Sequence, residues 1–400
     1  MNDSPKYSWQ RPELLLTLMA SAVPLSFAAW QAMLNNFAIE QVAFTGREMG
    51  MLQSLREVPG FLAFASVYLL LFLREQSLAL LALLLLGLGT ALTGFFPTIF
   101  GLFATTLLMS TGFHYYETMQ TSLTLQLIAK ERTAETLGRM MAAGSLAAIL
   151  TFGLIWCGTH FLEIDYRWLY LVFGGATISV ALLTWRLFPH FPAKTLQHKH
   201  MVVRRRYWLY YALTFMSGAR RQIFMVFAGF LMVEKFGYTV GEIALLFMVN
   251  ASLNVFFAPK IGRLISKVGE RNALLFEYAG LILVFCGYAL VTSARIAAGL
   301  YILDHFFFAL AISLKTYFQK VAAPEDIAST AGISFSINHI AAVVIPASFG
   351  LLWLTSPALV FYCGAAMALV SLLLSLLIPR EPRQGQETIF KNDSLVVNGK

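Results

Sequence analysis

Long apolar stretches alternate with short polar links along almost the whole chain. A helix that spans a membrane needs about 20 consecutive, mostly apolar residues, and twelve stretches meet that requirement. The pattern therefore predicts an all-α membrane protein with twelve transmembrane helices. The predicted spans are 13–38, 47–73, 77–96, 98–123, 137–159, 166–188, 207–233, 241–262, 272–292, 295–319, 327–353 and 356–379.

The polar links alternate in charge. Every second link, like both ends of the chain, carries lysine or arginine, whereas the links between them are short and carry few basic residues. Basic residues collect on the cytoplasmic side, so both termini are expected in the cytoplasm. The longest basic link divides the chain into a predicted N-terminal six-helix bundle (1–189), a cytoplasmic basic linker (190–206), a C-terminal six-helix bundle (207–380) and a flexible cytoplasmic tail (381–400).

An internal repeat relates the two predicted bundles. When the chain is shifted by 194 residues, segment 133–138 falls on segment 327–332, and segment 144–148 falls on segment 338–342. The same shift places Glu48 on Glu242 without a gap. Because each half holds an even number of spans, both have the same orientation. The repeat therefore predicts two parallel six-helix repeats related by an axis along the membrane normal.

Composition agrees with a membrane protein and limits its chemistry. The chain of 400 residues is 58% hydrophobic and 12% charged, with mean hydropathy +0.69, whereas soluble domains carry about 25% charged residues. The net charge of +8 is explained by basic links that face anionic lipid, so we expect the lipid bilayer and no nucleic acid as partner. Three widely spaced cysteines give no disulfide framework. No metal-ligand spacing, phosphate-binding loop or nucleophile motif is found, so we expect no metal, no cofactor and no enzyme activity.

The link between spans eight and nine carries the signature of a known family. Residues 262–271 read Gly-Arg-Leu-Ile-Ser-Lys-Val-Gly-Glu-Arg, and Gly262, Lys267, Gly269 and Arg271 agree in kind with the loop signature of the major facilitator superfamily. Ser266 stands where that family usually has aspartate. With its twelve spans, basic central link and two parallel halves, the chain resembles this superfamily. The resemblance implies solute transport by alternating access, with this loop as a conformational motif.

Charged residues lie inside several predicted spans. Such residues are costly unless they face a water-filled cavity, a counter-charge or a ligand. A guanidinium can hold a carboxylate or phosphate with two hydrogen bonds, so Arg56 in span two and Arg220 and Arg221 in span seven are candidate substrate-binding residues. The alternatives are a structural ion pair at Arg56 and its neighbour Glu57, and permanent neutralisation of Arg220 or Arg221 by Asp304 or Glu57.

Other ionisable residues are candidates for proton coupling or charge balance. Asp304 and His305 are adjacent in span ten, and such groups can titrate near neutral pH in a desolvated site. His114 and Glu117 in span four share a helix face, and Glu57 balances charge in span two. A static salt bridge of Asp304 and a buried structural hydrogen bond of His114 are the alternatives.

Amides and one further histidine complete the predicted site. Asn250 and Asn254 share a face of span eight, and Asn338 and His339 lie in span eleven. As a set they are candidate substrate-binding residues that line a polar cavity. The alternative for each is a hydrogen bond that holds helices together.

These observations favour a secondary-active transporter in the inner (plasma) membrane. It is expected to be a monomer that moves a small anionic or zwitterionic organic solute by alternating access, with the proton as candidate coupling ion. One alternative is an exporter of cationic or hydrophobic compounds that uses the arginines as internal counter-ions. Another is a membrane solute sensor that binds a ligand without transporting it.

Overall fold

The computed structural model describes residues 7–62, 66–70, 72–128, 130–191, 203–323 and 326–390, and within these ranges the chain is helical without a strand. In the first half the helices are α1 (Pro12–Val42), α2 (Gly46–Phe61), α3 (Ser66–Leu69), α4 (Glu75–Thr93), α5 (Ile99–Leu127), α6 (Lys130–His160) and α7 (Tyr166–Leu187). In the second half they are α8 (Trp208–Gln222), α9 (Gly229–Phe236), α10 (Val240–Val268), α11 (Glu270–Leu290), α12 (Ala294–Ala309), α13 (Ile312–Val321), α14 (Ile327–Thr355) and α15 (Pro357–Ser375).

Each of the twelve predicted spans meets helical structure. Among the described residues, nine helical stretches are long and apolar enough to cross a membrane. Predicted spans two, four and seven do not belong to these nine stretches. Span two is divided between α2 and the four-residue α3, and span four, which corresponds to α5, carries the polar residues His114, Glu117 and Gln120. Span seven is interrupted by a π-helical segment, Ile223–Ala228, between α8 and α9.

The described chain forms two compact units. Unit 1 comprises the described residues of Met1–Gln197 together with Val233–Ala251, and unit 2 those of His198–Met232 and Ser252–Lys400. In unit 1, α4 packs against α5 and α7, and α1 packs against α6 and α7. In unit 2, α8 packs against α14 and α15, and α11 packs against α12 and α15. The predicted bundle boundaries, 1–189 and 207–380, stay a prediction, and residues 192–202 of the linker lie outside the described residues.

The internal repeat is visible in the local backbone of unit 1. Ala43, which follows α1, and Gly237, which follows α9, both have positive φ, at 56° and 67°. Two residues after each, a threonine begins the next helix: the Thr45 amide donates to Glu48, and the Thr239 amide donates to Glu242, at 3.0 and 2.8 Å. These capping interactions are separated by the 194 residues that the sequence comparison gives.

Small residues let helices of unit 1 approach closely. A Cβ atom added to Gly174 of α7 would lie 2.4 Å from the backbone nitrogen of Ala91 in α4. A side chain at this position would collide with main chain rather than with a movable group. Close backbone approach at small residues is a common way in which helices associate in membranes, so Gly174 fixes the distance between α4 and α7.

The segment that follows α15 is attached to unit 2. The Tyr317 hydroxyl donates to the carbonyl of Glu387, and the Ile389 amide donates to the carbonyl of Leu377 at 2.9 Å. Glu387 is buried. Residues 381–390 of the predicted flexible tail are thus held by specific contacts, while residues 391–400 lie outside the described residues.

Candidate functional site

Unit 2 contains a buried ion pair between α8 and α11. The Arg220 Nη2 atom donates to Glu277 Oε1 at 2.9 Å, and the two side chains are 2% and 0% exposed. The guanidinium lies over the Tyr278 ring, 4.6 Å from its centroid, and donates from Nη1 to the Ser371 hydroxyl of α15 at 3.4 Å. Arg220 of α8 is therefore paired and hydrogen-bonded by side chains of two other helices of the same unit, α11 and α15.

A second carboxyl group, that of Asp304 in α12, is buried beside this pair. The charge of Arg220 acts on Asp304, and Asp304 in turn acts on Glu277. The hydroxyls of Tyr288 and Tyr301 are also within electrostatic reach of Asp304. Asp304 is 1% exposed, and its Oδ2 atom accepts no hydrogen bond from the described residues. One guanidinium thus serves two buried carboxyl groups.

Arg221 differs from its neighbour Arg220 in exposure. Its side chain is exposed, and the guanidinium lies over the Phe308 ring of α12 at 5.4 Å from the centroid. The charge of Arg221 also acts on His305, one helical turn before Phe308. Successive residues on a helix point about 100° apart, so one arginine of the pair enters the core while the other reaches the surface of the unit.

The π-helical segment begins directly after these arginines. Its second residue, Phe224, contacts Tyr301 and His305 of α12, with ring centroids 4.9 and 5.1 Å apart. Segments of π-helix are rare and often occur at functional sites. Here the segment brings an aromatic side chain to the part of α12 that Arg221 approaches.

In unit 1, Arg56 and Glu57 of α2 pair with each other. The Arg56 Nε atom donates to Glu57 Oε1 at 3.1 Å, and Nη2 donates to the same oxygen. Both side chains are buried, and the Arg56 guanidinium lies 5.9 Å from the centroid of Trp30 in α1. The Ser110 hydroxyl of α5 donates to the Arg56 carbonyl. The arrangement is that of an internal ion pair; contact of Arg56 with substrate stays a prediction.

A cavity of about 190 Å³ lies in unit 1 between α1, α5 and α6. Glu117 reaches it with a side chain that is 50% exposed. His114 is buried one turn earlier on α5, with Nδ1 4.0 Å from Glu117 Oε2. The structure thus brings together the two residues that the sequence pairs on one face of span four. The residues that line the cavity are Ala20, Val23, Pro24, Phe113, Tyr116, Glu117, Gln120, Leu137, Met140 and Met141.

The predicted asparagine and histidine positions are only partly brought together. Asn250 is buried in unit 1, and its amide atoms make no hydrogen bond with described residues. The side chain of Asn254 lies outside the described residues. In unit 2, Asn338 is exposed on α14, where its Oδ1 atom lies 2.6 Å from the Cβ position of Gly218. His339 is buried and contacts the carbonyl of Phe335 through Nδ1 at 3.0 Å.

The predicted loop motif forms the junction of α10 and α11. Gly269 is the residue directly before α11 and has φ +80°, a backbone conformation that glycine adopts without steric cost. Next to it, the buried Glu270 forms an ion pair with Lys320, with 2.7 Å between Oε1 and Nζ. Lys267 is exposed and Arg271 is half-buried. Surroundings of Gly262 lie outside the described residues, and the role of the motif in conformational change stays a prediction.

Asp326 joins the start of unit 2 to the link before α14. It accepts hydrogen bonds from Arg204 Nε at 3.1 Å, Arg206 Nη2 at 2.6 Å and the Tyr207 hydroxyl at 2.9 Å. The Tyr207 hydroxyl accepts from the Ala323 amide at 3.0 Å. Burial disfavours the charged carboxylate, but these donors outweigh burial and hold the pKa of Asp326 below its ordinary value.

Comparison with known proteins decides the family. The family model of the Major Facilitator Superfamily matches residues 14–346. The chain belongs to the major facilitator superfamily. The predicted all-α membrane fold and the predicted family are both confirmed. Membership supports a multi-pass membrane transporter rather than an enzyme. No curated protein sequence matches the chain significantly.

Solved structures of this superfamily share the fold. A mutant of the nucleoside transporter NupG superposes with TM-score 0.75 at 14% identity, covering 91% of this chain and 99% of that one. A bacterial homologue of the human lysosomal transporter Spinster, inward-facing and unoccupied, gives TM-score 0.68 at 13% identity and covers 91% and 94%. At such identities the likeness establishes the superfamily fold and no substrate.

Glu277 of the buried ion pair was not singled out by the sequence analysis. It lies in the apolar run of span nine and carries the same signal that singled out Arg220, a charge inside a span.

Proposed function

We propose that this protein is a proton-coupled secondary transporter of a small organic solute that carries an anionic group. It resides in the inner membrane with both termini in the cytoplasm, as the distribution of basic links favours. Family membership supports alternating access as its mechanism. One observation carries the proton coupling: among the described residues of unit 2, the buried Arg220 guanidinium pairs with the buried carboxyl of Glu277 and acts electrostatically on that of Asp304.

The charges of this group balance only when one carboxyl is protonated. Glu277 accepts a hydrogen bond from Arg220 at 2.9 Å and is the natural ionised partner. Asp304 is also buried, and its Oδ2 atom has no donor among the described residues. Two ionised carboxylates beside one cation in a low-dielectric site repel each other, and one of them takes up a proton. Asp304 is therefore the proton carrier in this proposal, and Glu277 is the counter-ion that keeps Arg220 in place.

Arg221 is the proposed contact of the solute's anionic group. An exposed arginine within an apolar span is tolerated where it faces water or a ligand, and its planar donors suit carboxylate or phosphate. The Phe308 ring lies against the guanidinium, 5.4 Å from its central carbon to the ring centroid. His305 and Phe224 lie close by and offer flat surfaces for the rest of the solute.

The proposal is tested in proteoliposomes with a defined panel of organic anions: benzoate, succinate and pyruvate, each against its neutral amide. An imposed pH gradient should drive accumulation of at least one anion, and Asp304→Asn should abolish accumulation while leaving counterflow of the same anion. Arg221→Ala should reduce both modes at least tenfold. Accumulation that ignores the pH gradient, or preference for the neutral amides, would overturn the proposal.

The same assay addresses the two rival functions. A sensor binds solute in detergent, which is seen as a raised unfolding temperature, but it shows neither accumulation nor counterflow. An exporter of cationic or hydrophobic compounds transports neither the anions nor their amides. Instead, it moves cations across the membrane in the direction opposite to that of the protons.

A further inference from the structure

The contact between Arg220 and Ser371 in unit 2 has a counterpart in unit 1. In unit 2 the Arg220 Nη1 atom of α8 donates to the Ser371 hydroxyl of α15 at 3.4 Å. In unit 1 the Ser26 hydroxyl of α1 donates to the Thr177 hydroxyl of α7 at 2.8 Å. Ser26 lies 194 residues before Arg220, and Thr177 lies 194 residues before Ser371. The internal repeat therefore relates the two contacts, and in each unit the corresponding pair of helices meets at a hydroxyl group.

The hydroxyl that accepts the hydrogen bond is oriented in a similar way in both units. Ser371 donates its own proton to the Met367 carbonyl, one turn earlier, at 2.8 Å. Thr177 has the Phe173 carbonyl one turn earlier at 3.3 Å, besides the Ala22 carbonyl of α1 at 2.9 Å. A hydroxyl carries one proton and two lone pairs, so a hydroxyl whose proton points at a carbonyl offers only lone pairs to other groups. Ser371 is thus held as an acceptor for the arginine.

The repeat also shows which part of this arrangement is particular to unit 2. Under the same shift, three neutral residues fall on the three charged ones: Ser26, Leu83 and Ser110 on Arg220, Glu277 and Asp304. The three neutral residues are buried, as are the three charged ones. The contact at the hydroxyl belongs to the frame that both units share, whereas the charges belong to unit 2. A hydroxyl that joins two helices in unit 1 therefore holds a guanidinium in unit 2.

The Arg220 guanidinium directs its two terminal nitrogens to different partners. Nη2 donates to the Glu277 carboxylate, and Nη1 donates to the Ser371 hydroxyl. The charge of Arg220 also acts on Asp304, whose Oδ2 atom has no donor among the described residues. One nitrogen of the arginine thus points to a neutral oxygen, while a carboxyl oxygen within its electrostatic reach receives no hydrogen bond.

We propose that Ser371 is a positioning residue for the proton carrier: its hydroxyl holds Nη1 of Arg220 and so keeps this donor from Asp304. The inference rests on the proposed function, in which Asp304 carries the proton. A hydrogen bond from a cation favours the ionised form of a carboxyl group. Without the Ser371 hydroxyl, Nη1 turns to the Asp304 carboxyl, which then releases its proton more readily.

Ser371 can act on the protonation of Asp304 only through another group, because a serine hydroxyl carries no charge. The titratable groups in electrostatic contact with Asp304 lie on α8, α11 and α12, and they are Arg220, Glu277, Tyr288 and Tyr301. Of these four, Arg220 is the one to which the Ser371 hydroxyl is hydrogen-bonded. A change in the pH profile on substitution of Ser371 therefore reports on the position of the guanidinium.

Infrared titration of the purified full-length protein in detergent tests the inference. The band of the protonated carboxyl should disappear as the pH rises, and its midpoint should fall by about one pH unit in Ser371→Ala, a tenfold weaker affinity for the proton. Ser375→Ala is the matched control. Ser375 is likewise buried on α15, and its hydroxyl donates to the backbone carbonyl of Ser371 at 2.9 Å. The control should keep the midpoint of the parent.

Two further variants separate the hydroxyl from the shape of the side chain. Ser371→Thr introduces the side chain of the repeat counterpart, Thr177, and should keep the midpoint of the parent. Ser371→Val has the shape of the threonine variant without its hydroxyl and should lower the midpoint as Ser371→Ala does. A merely structural hydroxyl would change the unfolding temperature and leave the midpoint unchanged. The pair also keeps the test decisive if Ser371→Ala does not fold.

Unchanged or raised midpoints in Ser371→Ala and Ser371→Val would overturn the inference, as would an equal shift in Ser375→Ala. Proton coupling would then still stand, because it is tested separately by accumulation in the parent and in Asp304→Asn. Loss of coupling with the band and its shift intact would overturn the proposed function alone. A parent spectrum without a protonated carboxyl would overturn both.

Discussion

The Arg220 guanidinium and the Glu277 carboxylate form a fully buried ion pair, with 2.9 Å between Nη2 and Oε1. Residues 57 positions apart thus join α8 to α11 in the core of unit 2. Removing one partner of a buried pair leaves an uncompensated charge and costs about 3–5 kcal/mol. Asp304 changes this expectation, because it offers the arginine a second counter-charge.

The first prediction concerns this shared counter-charge. Glu277→Gln alone should lower the midpoint of thermal unfolding in detergent moderately, because Asp304 loses its proton and balances Arg220. The double variant Glu277→Gln with Asp304→Asn should lose much more than the sum of the single losses, since Arg220 then lacks both partners. Adding Arg220→Met to the double variant should recover stability by removing the buried charge. Additive losses in the double variant would contradict the shared arrangement.

A second prediction concerns the pH dependence of the Asp326 contacts. The pKa of Asp326 is lower in the folded protein than its ordinary value of about 3.9. Its stabilisation is therefore fully present above that ordinary value and is lost as the pH falls through the folded pKa. Asp326→Asn should lower the unfolding midpoint by a few degrees near neutral pH, and the difference from the parent should shrink on acidification.

Arg205→Ala is the matched control for the Asp326 variant. It removes an exposed cation from the same short 3₁₀ turn, Arg205–Tyr207, between the two arginines that bind Asp326. Its midpoint should follow the parent at every pH. A gap between Asp326→Asn and the parent that stays constant in acid would show that the carboxylate charge is not what stabilises this link.

A third prediction uses two adjacent glycines of α7. Gly174→Ala should reduce the yield of folded protein sharply, because its Cβ would lie 2.4 Å from the Ala91 nitrogen and 2.5 Å from the Gly87 carbonyl oxygen. Gly175→Ala meets no atom within 4 Å and should fold as the parent does or slightly better. Size-exclusion yield in detergent measures both, and equal yields would contradict the close packing of α4 and α7.

Much of the fold follows from local sequence patterns. The twelve apolar runs each meet helical structure because a membrane-spanning segment must satisfy its backbone hydrogen bonds within itself. The internal repeat was also predictable from local sequence. Glu48 and Glu242 each cap a helix together with the threonine three residues earlier. In both halves the residues that form the cap are therefore close neighbours in the chain.

The partners of the site residues depend on how helices rotate and pack. The pattern marked Arg220 and Arg221 as equivalent candidates, yet the first is buried against Glu277 and the second is exposed beside Phe308. Which of two neighbours enters the core depends on the orientation of α8 in its unit. The sequence also suggested Asp304 or Glu57 as the counter-ion, because nothing in a single run of residues indicates which distant carboxylate a guanidinium will meet.

Infrared spectroscopy of the purified protein tests the central claim most directly. One buried carboxyl of the Arg220, Glu277 and Asp304 group should hold a proton near neutral pH, giving a C=O stretching band that is lost in Asp304→Asn. Glu57→Gln is the matched control, since Glu57 is buried in an ion pair with Arg56, and its substitution should leave the band intact. A parent spectrum without a protonated carboxyl, or a band unchanged by Asp304→Asn, would contradict the proposed proton carrier.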